Sequence, residues 1–268
     1  MRVSLIQMNS QGDKAANMAA ASAFVENAVR TDKPDLVVLP EYWNFLGATP
    51  VAMQAAAETI PDGESYRLMA DLARRLKVAI HGGSIAEKDG NAFYNTTIVF
   101  GPDGGELARY RKIHLFDVET ADGIVYRESD SVARGEEVVT YQLGGVTMGC
   151  AICYDIRFPE LFRKLRDRGA DVIVLPAAFT LMTGKDHWEV LARARAIETQ
   201  TWMLAVGQTG THAGGQKWCW GHSMAIDPWG HVAAQCSDGV GFTSARLDLA
   251  YAAKVRADIP VATHHVLD

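Results

Sequence analysis

Asp35-Leu-Val-Val-Leu-Pro40 and Asp171-Val-Ile-Val-Leu-Pro176 are one pattern written twice. Four consecutive apolar residues, mostly β-branched, between an acidic residue and a proline read as a short buried strand. Each copy follows a helical pattern, and each half later runs a strand through a proline turn into a return strand. Those turns are Ile98-Val-Phe-Gly-Pro102-Asp-Gly-Gly105 and Ala225-Ile-Asp-Pro228-Trp-Gly230, both hairpin signals. The order helix, buried strand, strand, hairpin thus occurs twice. It predicts an α/β fold, one pseudo-symmetric domain over 1–268 with two layers of sheet and helices outside. Chance recurrence in any α/β chain competes for the hexapeptide alone, and the paired hairpins argue against it.

Outward from these anchors, the expected strands are Val3 to Met8, Leu36 to Leu39, Val78 to Ile85, Thr96 to Phe100 and Glu106 to Tyr110. In the second half they are Val146 to Ile152, Val172 to Leu175, Met203 to Gln208, His222 to Ile226, His231 to Gln235 and Gly241 to Leu247. A helix over Lys14 to Arg30 stripes Met18, Ser22, Val25 and Val29, and another covers Glu64 to Leu76. A third opens with Pro159 at its first position and stops at Gly169; a fourth is expected to start at Asp186, with Glu189 completing a capping box, and to reach Gln200.

The 268 residues carry 26 Lys and Arg against 32 Asp and Glu, a formal charge of −6, with 48% hydrophobic and 22% charged residues. That balance belongs to a globular chain able to bury roughly three quarters of its unfolded surface. No basic stripe offers a footprint for nucleic acid or an anionic membrane. No window approaches the ~18 apolar residues of a membrane span, and MRVSLIQMNSQ lacks the regions of a signal peptide. The expectation is a cytoplasmic protein without nucleic-acid or membrane partners. Cysteines at 150, 153, 219 and 236 are too few to staple such a chain, so the question is which thiol is reactive.

Gly149-Cys150-Ala-Ile-Cys153-Tyr-Asp155 contains a CxxC, which raises redox and zinc chemistry. Both need converging sulfurs, but strand alternation sends Cys150 to one face with Val146, Met148 and Ile152, and Cys153 to the other with Thr147, Gly149 and Ala151. Cys150 reads as core. Cys153 stands where a strand turns into the helix opening at Pro159, a place where backbone N–H groups can stabilise an oxyanion; a plain buried cysteine is the bland alternative. Glu41 directly follows the first buried strand, where a carboxylate is costly unless paired or used. Lys112 ends another strand among apolar neighbours. Each alone is more often a solvated strand end than a catalyst.

Together, Leu39-Pro-Glu41, Arg111-Lys112-Ile-His-Leu-Phe116 and Cys153-Tyr-Asp-Ile-Arg-Phe-Pro-Glu160 resemble the three motifs of the nitrilase superfamily of carbon-nitrogen hydrolases, and the resemblance runs end to end. It implies a four-layer α-β-β-α sandwich with pseudo-two-fold internal symmetry and a thiol-dependent amidase without metal or organic cofactor. By it Glu41 is general base and then acid, Lys112 stabilises the tetrahedral intermediate, and Cys153 is the nucleophile. Glu128, in Tyr126-Arg-Glu-Ser129, matches a second, supporting glutamate, and the Tyr154 backbone N–H is expected to join Lys112 at the oxyanion. The family also implies at least a dimer through the helical faces.

Tyr154-Asp155, where nitrilases typically carry Trp-Glu, favours amides over nitriles. The chain looks like the Nit branch, whose members hydrolyse deaminated glutathione or 2-oxoglutaramate, and Arg157-Phe-Pro-Glu160 with Arg195-Ala-Ile-Glu-Thr-Gln200 favours the first. Both substrates carry a carboxylate or 2-oxo acid, for which Arg157 is the expected partner; a structural ion pair for Arg157 is the competing reading. Tyr42, Phe45 and Phe179 are expected pocket walls, with plain core as the alternative. His187 and Trp188 are expected at a helix start, in packing or a dimer contact. Gly221-His-Ser223-Met-Ala225 imitates a serine-hydrolase elbow, but a strand follows it rather than a helix. His264-His265 has no accompanying ligand cluster and reads as solvated tail. A non-catalytic member of the same fold is the remaining alternative, against which all three motif residues stand.

Overall fold

The computed structural model of the chain describes residues 1–119, 123 and 125–266. The first half runs β1 (Arg2–Gln7), α1 (Lys14–Asp32), β2 (Leu36–Val38), α2 (Pro50–Ala55), α3 (Glu64–Leu76), β3 (Ala79–His81), β4 (Ile85–Asp89), β5 (Ala92–Phe100) and β6 (Glu106–Arg111). A small hairpin, β7 (Asp117–Glu119) with β8 (Val125–Arg127), follows. Next come β9 (Thr140–Leu143), β10 (Val146–Cys150), α4 (Pro159–Asp167), β11 (Val172–Ala177), α5 (Leu181–Thr199) and β12 (Trp202–Gly207). The chain continues through β13 (Thr209–His212), β14 (Lys217–Trp220), β15 (Met224–Ile226), β16 (Val232–Gln235), β17 (Gly241–Arg246) and α6 (Leu249–Asp258).

The two halves build matching sheets. One has the order β17-β1-β2-β3-β5-β4, with β6 also on β5; the other is β9-β10-β11-β12-β15-β16. In each, three strands run parallel, with an antiparallel strand on one side and an antiparallel hairpin on the other. The repeated hexapeptides are β2 and β11, each central in its sheet, and the hairpins at Pro102 and Pro228 are β5–β6 and β15–β16. The α/β reading holds.

Alternation along the strands makes the layers. Val3, Leu5, Leu36 and Val38 of one sheet meet Met148, Cys150, Val172 and Val174 of the other in a shared core. From the opposite face of the first sheet, Ile6, Val37, Leu39 and Ile80 pack on Val25 and Ala28 of α1 and Met69 and Leu72 of α3. Leu161, Phe162 and Leu165 of α4 and Trp188, Ala192 and Ala196 of α5 cover the second sheet. Side chains of this size stabilise by about 1.5–3 kcal/mol each when fully buried, before the entropy of ordering the chain is set against them.

Several boundaries differ from expectation. The segment Val78 to Ile85 is two strands, broken at Gly82-Gly83, because Gly83 takes φ +56° and a Cβ there would sit 2.0 Å from the Pro40 carbonyl oxygen. β11 passes through Pro176: β10 pairs only as far as Val174, so one side of that proline has no ladder partner to lose. Helix α5 begins at Leu181 after Thr180, which leaves Asp186, His187 and Trp188 inside the helix; Gly184, a poor helix former, stands in its first turn because Trp220 packs so close that a Cβ would come within 2.3 Å of it. The buried stripe of α1 is Asn17, Ala21, Val25 and Ala28, rotated from the expected one so that small alanines face the sheet. His222 precedes its strand, at φ +55°.

Candidate active site

The end of β2 is clamped from one side. Leu39 N–H donates to the His81 carbonyl at 3.0 Å, Ser84 N–H to that of Pro40 at 3.2 Å, and Tyr42 N–H to Ser84 Oγ at 3.1 Å. Only a glycine at position 83 allows this close approach. Glu41 is thereby carried off the strand into the interior, 3% exposed. Lys112 follows β6, its N–H bonded to the Asn95 carbonyl at 2.9 Å, and is 2% exposed.

Cys153 reaches the same place from the other sheet. β10 ends at Cys150, and Cys153 sits at φ +46° where a short 3-10 turn, Cys153–Arg157, leads into α4. Its position comes from this elbow and not from strand alternation, which has stopped three residues earlier. Asp155, fully buried, holds the elbow: one carboxylate oxygen accepts from Ile152 N–H at 2.8 Å and Tyr110 Oη at 2.7 Å. The other accepts from His114 N–H at 3.1 Å and lies 2.7 Å from His114 Nδ1. Tyr110 and His114 bracket Lys112, so one carboxylate ties the cysteine turn to the lysine strand.

The carboxylates and the ammonium are matched bond by bond. Lys112 Nζ lies 2.8 Å from Glu128 Oε2 and 3.4 Å from Glu41 Oε1. Glu41 also accepts from Asn95 Nδ2 and from the Ala178 N–H, both at 2.7 Å, and Glu128 from the Phe116 N–H at 2.7 Å. Such pairing offsets the cost of burying three charges. Burial works against the Lys112 cation, but Glu128 and then Glu41 outweigh it and hold its pKa well above the usual lysine range. Burial, then the negative charge of Glu41, pushes the Cys153 thiol well up, against the pull of Lys112. Both effects favour the protonated thiol over the thiolate in the resting site, with the Glu41 carboxylate as its charged neighbour. Cys150, in the core, is pushed up to about 12 by burial alone.

These groups open on a cleft of about 270 Å³. Glu41, Lys112, Cys153, Glu128, Tyr154, Tyr42 and Phe179 all line it. Phe45 and Arg157 do not. Phe45 turns away and packs over Gly47, where a Cβ would come 2.6 Å from its ring. The Arg157 guanidinium lies 3.3 Å from His187 Nδ1 and 5.4 Å from the centre of the Phe179 ring, outside the lining of the cleft. Ser223 is fully buried, its Oγ accepting from the Gly207 N–H at 2.9 Å, and takes no place in the cleft. His264 and His265 are exposed, and His265 Nε2 lies 2.7 Å from Arg163 Nη1.

Residues 2–257 match the model of the carbon-nitrogen hydrolase family. The chain belongs to that family. The hydrolase is 39% identical over 267 residues to the deaminated glutathione amidase of Synechocystis sp., covering 97% of this chain and 96% of that protein. It is 38% identical over 261 residues to the omega-amidase NIT2 of Homo sapiens, covering 97% and 93%. Among solved structures it is similar to the C. elegans NitFhit protein, with TM-score 0.90 and 37% identity, spanning 98% of this chain but 64% of the NitFhit chain. Saccharomyces cerevisiae Nit3 superposes with TM-score 0.89 at 31% identity, covering 97% of this chain and 94% of its own. The hydrolase acts on carbon–nitrogen bonds other than peptide bonds, as these amidase relatives do.

Sequence reasoning passed over several residues of the hydrolase's site. Asn95 lies in a run, Asn95-Thr96-Thr97, that is fully buried inside β5. A buried Asn in a strand is itself a signal, since Asn disfavours strands and must be bonded. Asp155 was legible as a carboxylate two residues past the cysteine, poised for an Asx-type turn. Ala178 and Phe116 act through backbone N–H groups, which no side-chain pattern reveals. Arg127, His212, Lys217 and Cys219 also line the cleft, carried by the two small hairpins.

Proposed function

We propose that the hydrolase is a thiol amidase that cleaves deaminated glutathione to 2-oxoglutarate and cysteinylglycine through a Cys153 thioester. The observation that supports it most is the convergence of Glu41, Lys112 and Cys153, from three separate strand ends, in one cleft. Glu41 takes the thiol proton as sulfur attacks the amide carbon, and the C–O double bond opens to an oxyanion facing Lys112 and the Tyr154 N–H. Glu41 gives that proton to the nitrogen as the C–N bond breaks and the amine leaves. A water then loses its proton to Glu41, attacks the thioester, and releases the acid as sulfur regains a proton. Glu128 keeps Lys112 charged and fixed throughout. The chemistry uses no metal or organic cofactor. Assembly as a homodimer or higher oligomer and residence in the cytoplasm belong to the same proposal; among the described residues no helix is long and apolar enough to cross a membrane.

Mass spectrometry of the intact protein mixed with a slow amide tests the chemistry. An acyl adduct on Cys153, absent from Cys153→Ala, is expected; no adduct and no amine or ammonia release across short amides overturns it. Comparing kcat/KM for deaminated glutathione and 2-oxoglutaramate tests the substrate. A preference for the second by about a hundredfold, or about 2.7 kcal/mol of transition-state binding, would make the protein an omega-amidase instead.

A further inference from the structure

The cleft contains a cation that the chemistry above does not use. Lys217 and Cys219 alternate on β14, so both face the cleft from one side of the strand. Cys219 marks the inner end: it bridges to Thr180, two residues from the Ala178 that holds Glu41, and it feels the charge of Glu41. Lys217 therefore stands roughly 6–7 Å farther out, toward the mouth. Its Nζ lies 5.0 Å from the Tyr126 ring centroid, and among the described residues it has no carboxylate partner. It is half-buried, and burial lowers its pKa. The other cations of the cleft are engaged differently: Lys112 is held by Glu128 and Glu41, and Arg127 is exposed and acts on Asp117.

A second group points to the same spot. His212 stands directly across the hairpin register from Lys217, lines the cleft, and is 8% exposed. Its Nδ1 is buried with no hydrogen-bond partner among the described residues. A desolvated ammonium with no counter-ion among the described residues, beside an orphaned ring nitrogen, is an incomplete anion site. A carboxylate satisfies both, accepting from the ammonium and from an Nδ1–H.

We propose that Lys217, with His212 beside it, is the carboxylate-binding element of the cleft and selects amides whose acyl portion ends in a carboxylate. The proposal rests on the amidase reading, and gives to Lys217 the role that the sequence suggested for Arg157. It commits to the acyl side because a 2-oxo acid there is common to deaminated glutathione and 2-oxoglutaramate, whichever is preferred.

Calorimetric titration of 2-oxoglutarate into the Cys153→Ala protein, with Lys217 intact or replaced in Lys217→Gln, reads the site without turnover. The Kd is expected to rise about tenfold or more in Lys217→Gln and to recover most of that in Lys217→Arg, while Arg127→Gln changes it by no more than about threefold. Equal affinity in folded Lys217→Gln, no binding with Lys217 intact, or a larger loss in Arg127→Gln would overturn the assignment. In the active enzyme, Lys217→Gln should lower kcat/KM for 2-oxoglutaramate relative to propionamide by about tenfold, through KM more than kcat. An equal loss on both amides contradicts the proposal. If the intact enzyme forms no Cys153 adduct with any amide, the amidase reading fails on its own, and the calorimetry still judges Lys217.

Discussion

Superposing the halves by strand register gives Glu41 and Cys153 each an apolar counterpart in the other half. With Leu36 matched to Val172, the proline at 40 falls on 176 and Glu41 on Ala177. The same register sets Leu5 on Cys150, hence Met8 on Cys153, and His81 on Leu204. One scaffold, used twice, holds chemistry at the end of a strand in one copy and apolar filling in the other. In the proposed mechanism the first copy supplies the proton carrier and the second the sulfur, and the Ala178 N–H of the second copy donates to the first copy's carboxylate. Neither half holds a site alone. The division of labour shows that the repeated strands fix positions in space, and the residue just past each strand decides what happens there.

The strongest test makes the first half imitate the second. Glu41→Ala copies Ala177; kcat should fall on the order of 10³-fold or more, with no acyl adduct accumulating in rapid-quench experiments. Retention of a tenth of the activity would mean that the carboxylate is not the proton carrier. Next in size is the link between halves. Asp155→Ala strands Tyr110 Oη, His114 and the Ile152 N–H, and should cost about 3 kcal/mol in urea unfolding while lowering kcat through a loosened elbow. Stability lost without any change in kcat would confine Asp155 to folding.

A smaller effect appears with pH. Burial pushes the His81 pKa down to about 3, and neither ring nitrogen has a partner among the described residues. Between about 6.5 and 3 the unfolded chain binds a proton there that the folded chain refuses, so stability falls as pH drops through that window. From pH 6.5 to 5 the loss from this residue is roughly 2 kcal/mol, and His81→Leu, copying Leu204, should remove that part of the slope in unfolding curves. An unchanged slope would show that His81 is not the group responsible. Smallest of all, Cys150→Ala should lower stability by about 1 kcal/mol and leave turnover within about twofold. Tenfold loss of activity would bring Cys150 into the chemistry and undo its separation from Cys153.

The comparison also explains what could be read beforehand. β2 and β11 announced themselves because burial on both faces demands unbroken apolar runs, and the proline turns marked their hairpins. Glu41, Lys112 and Cys153 stood out as polar groups where such strands end. The gap in Val78 to Ile85 did not, because a glycine pair signals a possible bend but not the carbonyl of Pro40 that must fit against it. Asn95 falls outside the expected strand because β5 starts at Ala92, four residues before Thr96, in a stretch whose Asn disfavours strands. β7, β8, β13 and β14 are too short and too polar for periodicity to register, yet they carry Arg127, His212 and Lys217 to the cleft. Arg157 is not legible as lying outside the cleft, because distance along the chain from the nucleophile does not say which way a long side chain will reach, here to His187.

β9 enters β10 through the Gly144-Gly145 turn, whereas its counterpart β17 arrives from the far end of the chain to lie antiparallel on β1, and the Met1 ammonium donates to the Leu247 carbonyl at 3.2 Å. The duplicated unit thus begins at β17, and the molecule is a closed ring of two units cut open one strand into the first. For a chain emerging from the ribosome the two sheets are then unequal. The second can zip up its edge as soon as a tight turn is made, but the first must hold an open, apolar edge at β1 until residues 241–246 have been synthesised.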